Sequence, residues 1–518
     1  MSTTVTPRAA EAPTRPPATK DRPWAAVLAL ARFEARELLL HVPVFVFLAL
    51  YLAYSVYSLV TAEQDGMADY PVLQDADRAT QSAPQLVALA VLLCVNHAVL
   101  RSRRHGTDRH FGVLPVRPWR RTLAHVLSVV PFAAVVAVVV TAEFAWAALK
   151  PGAAGHGSVA ELAVAPLTVL LAGVIGVLLA RLIHSAFAAP LFVVGLYVLL
   201  VVVSVAADGG TPHWLTWLSP VVPETGGAPL PSALLGRPAA WHALYLAGLT
   251  VTLLGAALLV SGRRTRPVAV VTAVALAATA AGVAGQSPGG SRQLTEARTV
   301  ASVSPEKDQS CTLRAGVRYC AFPEWTGRTA DWAAVVERVE QLAGDRHDRL
   351  TVRQRVEARY GLSGDAALVP LAGPGQITVG TEWGGNRVPE FAVGVASVLV
   401  AGSEKEASGI CDARAVTVMW LALAAQPDPM SAFAHVRLDD STEGPGAVLA
   451  PTEPLVMSAE QTRIVRELLH RPSGDVTAAV RAGWTELTSP RTSLTRVAQL
   501  LGVRAPEKEE NRDDPCAS

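Results

Sequence analysis

The chain has 518 residues, 51% hydrophobic and 17% charged, with a mean hydropathy of +0.32 and a net charge of +1. That is too apolar for a soluble protein of this size and too charged for a wholly embedded one, so a membrane half and a water-facing half are expected. A net charge so close to zero gives no bulk electrostatic case for nucleic acid as a partner.

Residues 1–23 are rich in Thr, Pro and Ala and read as a disordered cytoplasmic tail. They lack the apolar run and small-residue cleavage site of a signal peptide. Trp24–Leu40 has apolar residues spaced for one helical face, interrupted by Arg32, Glu34, Arg36 and Glu37. It reads as an amphipathic helix lying on the membrane surface. Six apolar runs follow over 41–261: Leu40–Val60, Ala83–Leu100, Thr122–Trp146, Leu162–Ala180, Phe187–Ala206 and Trp241–Ser261. Each is close to the ~20 residues that a bilayer core requires.

The loops between them alternate in charge. The first carries Glu63, Asp65, Asp69, Asp75 and Asp77 against Arg78 alone, whereas Arg101–Arg121 holds seven arginines and one acid, Asp108. Basic short loops stay on the cytoplasmic side. Arg101, Arg103, Arg104, Arg120 and Arg121 are therefore topology anchors, and the N-terminus is expected inside. Trp214 and Trp217, in the long outer loop 208–240, suit the membrane–water interface. Glu143, Asn96 and His97 are polar residues within spans, where such groups are costly. All three lie near span ends, within reach of headgroups or water.

Residues 267–285 are Ala/Val-rich and uncharged, and read as a seventh span. If they cross, the remainder of the chain lies outside the cell; if they do not, it lies with the arginine loops. Residues 286–310 read as a polar linker, 311–505 as a mostly helical domain and 506–518 as a charged tail. Within the domain, helices are expected at Ala330–Ala343, Pro389–Ala401, Ser408–Ala425, Asp475–Leu487 and Ser493–Leu501. Another, ending at His470, opens with a capping box on Ser458 and Gln461. Ala366–Leu371 and Gln376–Val379 can pair as short strands. Cys311 and Cys320 are the nearest cysteines, but the four beyond the last span allow three pairings, and a disulfide persists only on the outer side. The fold class is thus mainly α: a polytopic helical membrane domain of six spans plus a seventh, then a mostly helical soluble domain.

No catalytic residue, metal or cofactor is expected. The tail has only His347, His435 and His470, far apart and without the i, i+4 pair of a zinc peptidase, and there is no nucleophile elbow. Nor is there a phosphate-cradling P-loop, so any ATP hydrolysis must occur in a separate subunit.

The basic loop has an inner pattern. Gly106-Thr107-Asp108 leads into Phe111–Leu114 and Pro115, and Arg117-Pro118-Trp119 opens the next span. Gly106 permits a turn, Asp108 can cap a short helix, and Pro115 would end it. Phe111 and Leu114, three apart, would then share a face. In order and context this resembles the cytoplasmic coupling loop of ABC-type export permeases, in which a short helix after the second span docks on the ATPase. The resemblance covers about residues 24–261. It implies a permease subunit of an ATP-driven exporter in a bacterial plasma membrane, with Gly106, Asp108, Phe111, Leu114, Pro115 and Trp119 as the coupling element. The implied partners are a separate ATPase subunit, a second membrane subunit (the same chain or another) and the bilayer. In that family the helix before the first span also helps receive the ATPase. Some such permeases carry a fused outer domain resembling a helical zinc peptidase; the tail is similar in organisation but without the metal motif, which leaves it a binding or gating role. The alternative reading is a membrane-anchored extracytoplasmic sensor or binding protein.

Overall fold

The computed structural model describes residues 23–61, 66–106, 117–206, 214–220, 228–344, 350–359 and 368–504. The expectations for 1–22 and 505–518 lie outside them. The fold is mainly helical, with 68% of residues in helices and 6% in strands.

The amphipathic segment is helix α1 (Pro23–Leu40), followed directly by α2 (Val42–Thr61). The acidic loop contains a helix of its own, α3 (Leu73–Ala79), which leads through a turn into α4 (Pro84–Arg104). The third apolar run is split into α5 (Pro118–Leu127) and α6 (Val130–Ala148). Pro131, having no N–H, cannot bond back to Leu127, and the helix breaks at that point. After the short α7 (Val159–Leu162) come α8 (Val164–Leu182), α9 (Ala188–Ala206), α10 (Ala239–Val260) and α11 (Arg266–Gly285).

Among the described residues, six helical stretches are long and apolar enough to cross a membrane: Val42–Thr61, Leu73–Arg104, Pro118–Ala148, Val159–Leu182, Ala239–Val260 and Arg266–Val303. Six such helices fit a membrane protein. The segment expected as the fifth span is helical as well, but its Ala188–Val202 portion is shorter than the other six. Residues 267–285, the expected seventh span, belong to the last of the six.

Close packing inside the bundle depends on glycine. A Cβ on Gly282 of α11 would lie 2.7 Å from Tyr245 Cα, and one on Gly248 of α10 would lie 2.7 Å from Thr279 N. The α10–α11 hairpin therefore packs backbone to backbone, as small residues allow within membranes. Gly282→Leu is expected to destabilise the protein by about 1–3 kcal/mol through overpacking. Heating the detergent-solubilised protein and measuring the monodisperse fraction checks this; an unchanged profile would mean that the hairpin can open without cost. Asn96 lies in the α4–α8 contact, donating to Gly176 O at 3.1 Å. Its polarity is satisfied within the protein rather than by headgroups, because Gly176 brings the two helices close enough to bond.

The bundle has two chemically distinct ends. Thr122 and Ser261 hydroxyls meet at 2.7 Å, and Glu34 meets Arg101 at 3.2 Å, so the arginine-bearing ends cluster together. At the other end Val72 bridges Ala154, and His242 contacts Gln286 at 3.1 Å.

The stretch expected as a polar linker, 286–310, is largely helical. Pro288–Val303 forms helix α12, continuing the direction of α11 after a break at Gln286–Ser287. Its polar residues suit a helix in water, in contrast to the apolar α11.

The C-terminal domain is also less purely helical than its sequence pattern predicts. A four-stranded sheet is built from β1 (Ser310–Arg314), β2 (Val317–Ala321), β3 (Thr351–Gln354) and β4 (Gln376–Val379), in that order. β1 and β2 are antiparallel, joined by a turn with positive φ at Ala315 and Gly316, and the β2–β3 and β3–β4 pairs are parallel. Cys311 and Cys320 face each other across the hairpin and form a disulfide. The strand expected at Ala366–Leu371 is absent where that stretch is described, at 368–371; β4 pairs instead with β3. The reason is tertiary: β3 is too short to show a strand pattern, and it is held between β2 and β4.

Helix α13 (Thr329–Ala343) follows β2, and α14 (Arg387–Ala401) follows β4. Of the apolar stretch expected as a helix at Ser408–Ala425, the part Arg414–Ala424 is helix α16; the short α15 (Glu404–Ser408) precedes it, with Cys411 in the non-helical segment between. After α17 (Pro429–Val436), a two-stranded sheet of β5 (Gly446–Val448) and β6 (Leu455–Met457) precedes the last helices. α18 (Ala459–Leu469) starts at a complete capping box on Ser458 and Gln461, and α19 (Ser473–Leu487) and α20 (Leu494–Leu500) follow. The domain core gathers Trp332, Val336, Ile377, Phe391, Met419 and Trp420.

This domain is seated on the membrane half. Val72, Ala154 and Leu234, from three different inter-helix loops, belong to the same buried apolar cluster as the domain core. Arg328 of the domain donates to Pro151 O at 3.2 Å and Ala153 O at 2.9 Å.

Candidate docking surface at the arginine end

The buried face of α1 is Val27, Ala31, Glu34 and Leu38, spaced by four, three and four residues, which places them along one stripe. Val27 and Ala31 pack on Ala124 of α5, and Leu38 joins the core of the bundle. Trp24, Leu28 and Phe33 remain exposed on the other side. A helix with one apolar face on protein and another open suits the edge of a membrane.

Glu34 is the one charged residue on that buried stripe, 5% exposed. Its carboxylate accepts from Arg101 at 3.2 Å and lies 3.7 Å from His125 Nδ1. Burial pushes the Glu34 carboxyl above its usual value; Arg101 opposes this and Glu37 adds to it. Arg101 also reaches Glu37, at 3.5 Å. The start of the basic loop is thus tied to α1 by ion pairs. Its far end is tied as well: the Arg263 guanidinium lies 3.8 Å over the Trp119 ring, with Arg120 at 5.5 Å. That is a cation–π contact between the residue opening α5 and the segment after α10.

The structure therefore places the expected residues unequally. Gly106 has φ +65° directly after the α4 C-cap His105, a left-handed turn where glycine is unstrained. Asp108, Phe111, Leu114 and Pro115 lie outside the described residues. Trp119, Arg120 and Arg121 open α5, and Arg101, Arg103 and Arg104 close α4. Arg101, Arg103 and Arg121 line a cavity of about 360 Å³ together with Glu34, His125 and Arg181.

In the sequence Glu34 is one polar interruption among four, and His125, Arg181 and Arg263 carry no mark of a site. The signal for Glu34 was present: it falls on the same stripe as Val27, Ala31 and Leu38. Nothing local marks the other three, which meet the loop only because the helix ends converge. In the C-terminal domain, His435 and His470 are described and His347 is not. Among the described residues no three His, Cys, Asp or Glu side chains gather as a metal site would require.

Comparison with protein-family models, with curated proteins and with solved structures found no match.

Proposed function

We propose that this chain is the membrane subunit of an ATP-driven ABC-type exporter that works with a separate ATPase. The arginine end faces the cytoplasm in this reading, and the C-terminal domain faces outward. The observation that carries it is the pair of attachments at the two ends of the basic loop. Glu34 of α1 holds Arg101, and Arg263 covers Trp119, so both described ends of the basic loop are braced against neighbouring elements at the arginine end. A motor subunit needs such bracing, because force delivered to a loose loop would not reach the spans. The disulfide in the domain supports the outward placement.

The test replaces Phe111 and Leu114 together with Asp. The arginines are untouched, so insertion should be normal, while co-purification of the ATPase should fall at least about tenfold because an apolar anchor has become a buried charge. Full retention of ATPase binding and transport would reduce the loop to a topology anchor. Orientation has its own check. A membrane-impermeant thiol reagent, added to intact cells after reduction, should label Cys311 or Cys320. Labelling only in permeabilised cells would place the domain inside.

A further inference from the structure

The four-stranded sheet of the C-terminal domain has one closed edge and one open edge. At β4 the neighbouring segments take up the outward groups: the Thr378 N–H donates to Glu404, and the Gly375 N–H to Gly402 O at 2.9 Å. β1, at the other edge, is exposed along all five residues, Leu313 to 72%.

The hairpin decides which backbone groups of β1 are open. Its two turn residues, Ala315 and Gly316, both have positive φ, and such a two-residue turn makes the flanking pair Arg314–Val317 a hydrogen-bonded one. By alternation Thr312–Tyr319 and Ser310–Ala321 are bonded as well, whereas Cys311–Cys320 and Leu313–Arg318 are not. The Cys311 and Cys320 Cα atoms are 4.0 Å apart, the closer spacing of an unbonded pair. The N–H and C=O of Cys311 and Leu313 therefore point away from β2. No proline or bulge blunts this edge, whose register is unbroken over five pairs.

Outward donors and acceptors in a row suit the addition of another strand, and charge indicates which one. Antiparallel pairing of β1 with the same strand of a second copy, centred on Cys311, sets Leu313 opposite Gln309 and Arg314 opposite Asp308. Two-fold symmetry makes each of these matches twice. Asp308 and Arg314 are exposed, and among the described residues neither has an ion-pair partner. We propose that β1 is a self-association edge, through which two copies of this chain join with Asp308 of each against Arg314 of the other. This goes beyond the exporter reading and does not rest on it, since copies joined by the helix bundle alone would leave that reading standing.

The test uses the full-length protein in its membrane, with p-benzoylphenylalanine in place of Thr312 as a photo-crosslinker. Irradiation should join two copies of the chain, read as a doubled mass on a denaturing gel. The same group in place of Val369, exposed near the closed edge, should not join them. Leu313→Pro removes only an outward N–H, which an edge strand tolerates, and should lower the yield about threefold or more. Arg314→Glu should lower it as well by setting two acids against each other, and adding Asp308→Arg should restore it. This charge exchange carries the test if Leu313→Pro does not fold. No chain-to-chain crosslink from position 312, a crosslink to a different protein in its place, a yield unchanged by Leu313→Pro and Arg314→Glu, or no recovery in the double variant would overturn the proposal.

Discussion

Replacing Arg237 with methionine is expected to cost about 3–5 kcal/mol of stability, the usual result of removing one partner of a buried ion pair. Glu161 is 3% exposed and sits among Arg237, Arg78 at 3.1 Å and the Gln81 amide at 2.7 Å. Arg237, also 3% exposed, donates to Gln81 Oε1 at 2.9 Å, and Arg78 donates to Arg237 O at 3.0 Å. The cluster joins α3, the turn before α4, α7 and the loop before α10, which are the elements beneath the C-terminal domain. Loss of Arg237 leaves the Glu161 carboxylate with Arg78 as its remaining cation, and without its charged donor to Oε2, in a place that water does not reach. Adding Glu161→Gln to Arg237→Met should restore part of the loss, because the buried carboxylate that lost a partner is then neutral. Thermal unfolding of the full chain and the three variants in one detergent measures the cycle. A neutral Arg237→Met, or strictly additive variants, would mean that the cluster is solvated.

Within the domain, Glu404→Ala is expected to cost about 2–4 kcal/mol, since three donors lose one acceptor group together. Glu404 accepts from Leu371 N at 2.9 Å, from Thr378 N at 2.5 Å and from the Thr378 hydroxyl at 3.1 Å, with Arg355 at 3.9 Å. It thereby joins the start of α15 to β4 and to the segment before it. Burial raises the Glu404 carboxyl above its ordinary value, against the lowering effect of the Leu371 and Thr378 donors and of Arg355. The sign of the pH effect follows. A folded-state value above the unfolded one adds stability below the unfolded value, and that stability is lost as pH rises through the folded value. Glu404→Gln removes the titration and should flatten the fall in stability between acid and neutral pH, while leaving one amide N–H₂ facing donors. Unfolding of the full chain across that range reads both effects. An identical slope in Glu404→Gln would exclude Glu404 as its source.

Much of the membrane half was legible in the residues themselves. Apolar runs near bilayer length, arginines at alternate loops and the amphipathic stripe at 24–40 are local patterns, and burial of apolar surface alone is enough to make them helices. The Ser458–Gln461 capping box was legible for the same reason: donor and acceptor lie three residues apart. The candidate docking surface was legible only in part. Its arginines, Gly106 and Trp119 could be named from the loop, but the ion pair from Glu34 to Arg101 and the stacking of Arg263 on Trp119 could not. Those contacts span 67 and 144 residues, and no periodicity encodes them.

What only the tertiary structure decided follows the same rule. The parallel pairing of β3 with β2 requires a crossover through α13, that of β4 with β3 a second one through 355–375, and strands of four residues carry too little pattern to announce either. The charges at 77, 78, 161 and 237 lie in or beside the segments between the apolar runs. Those segments then pack on one another and withdraw the charges from water, so that each needs a partner supplied by a distant part of the chain. Composition and local spacing thus determined which segments are helices long and apolar enough to cross a membrane. Which polar groups become buried, and therefore which pairs and cavities carry chemistry, was decided by the packing of the domain on the helix ends.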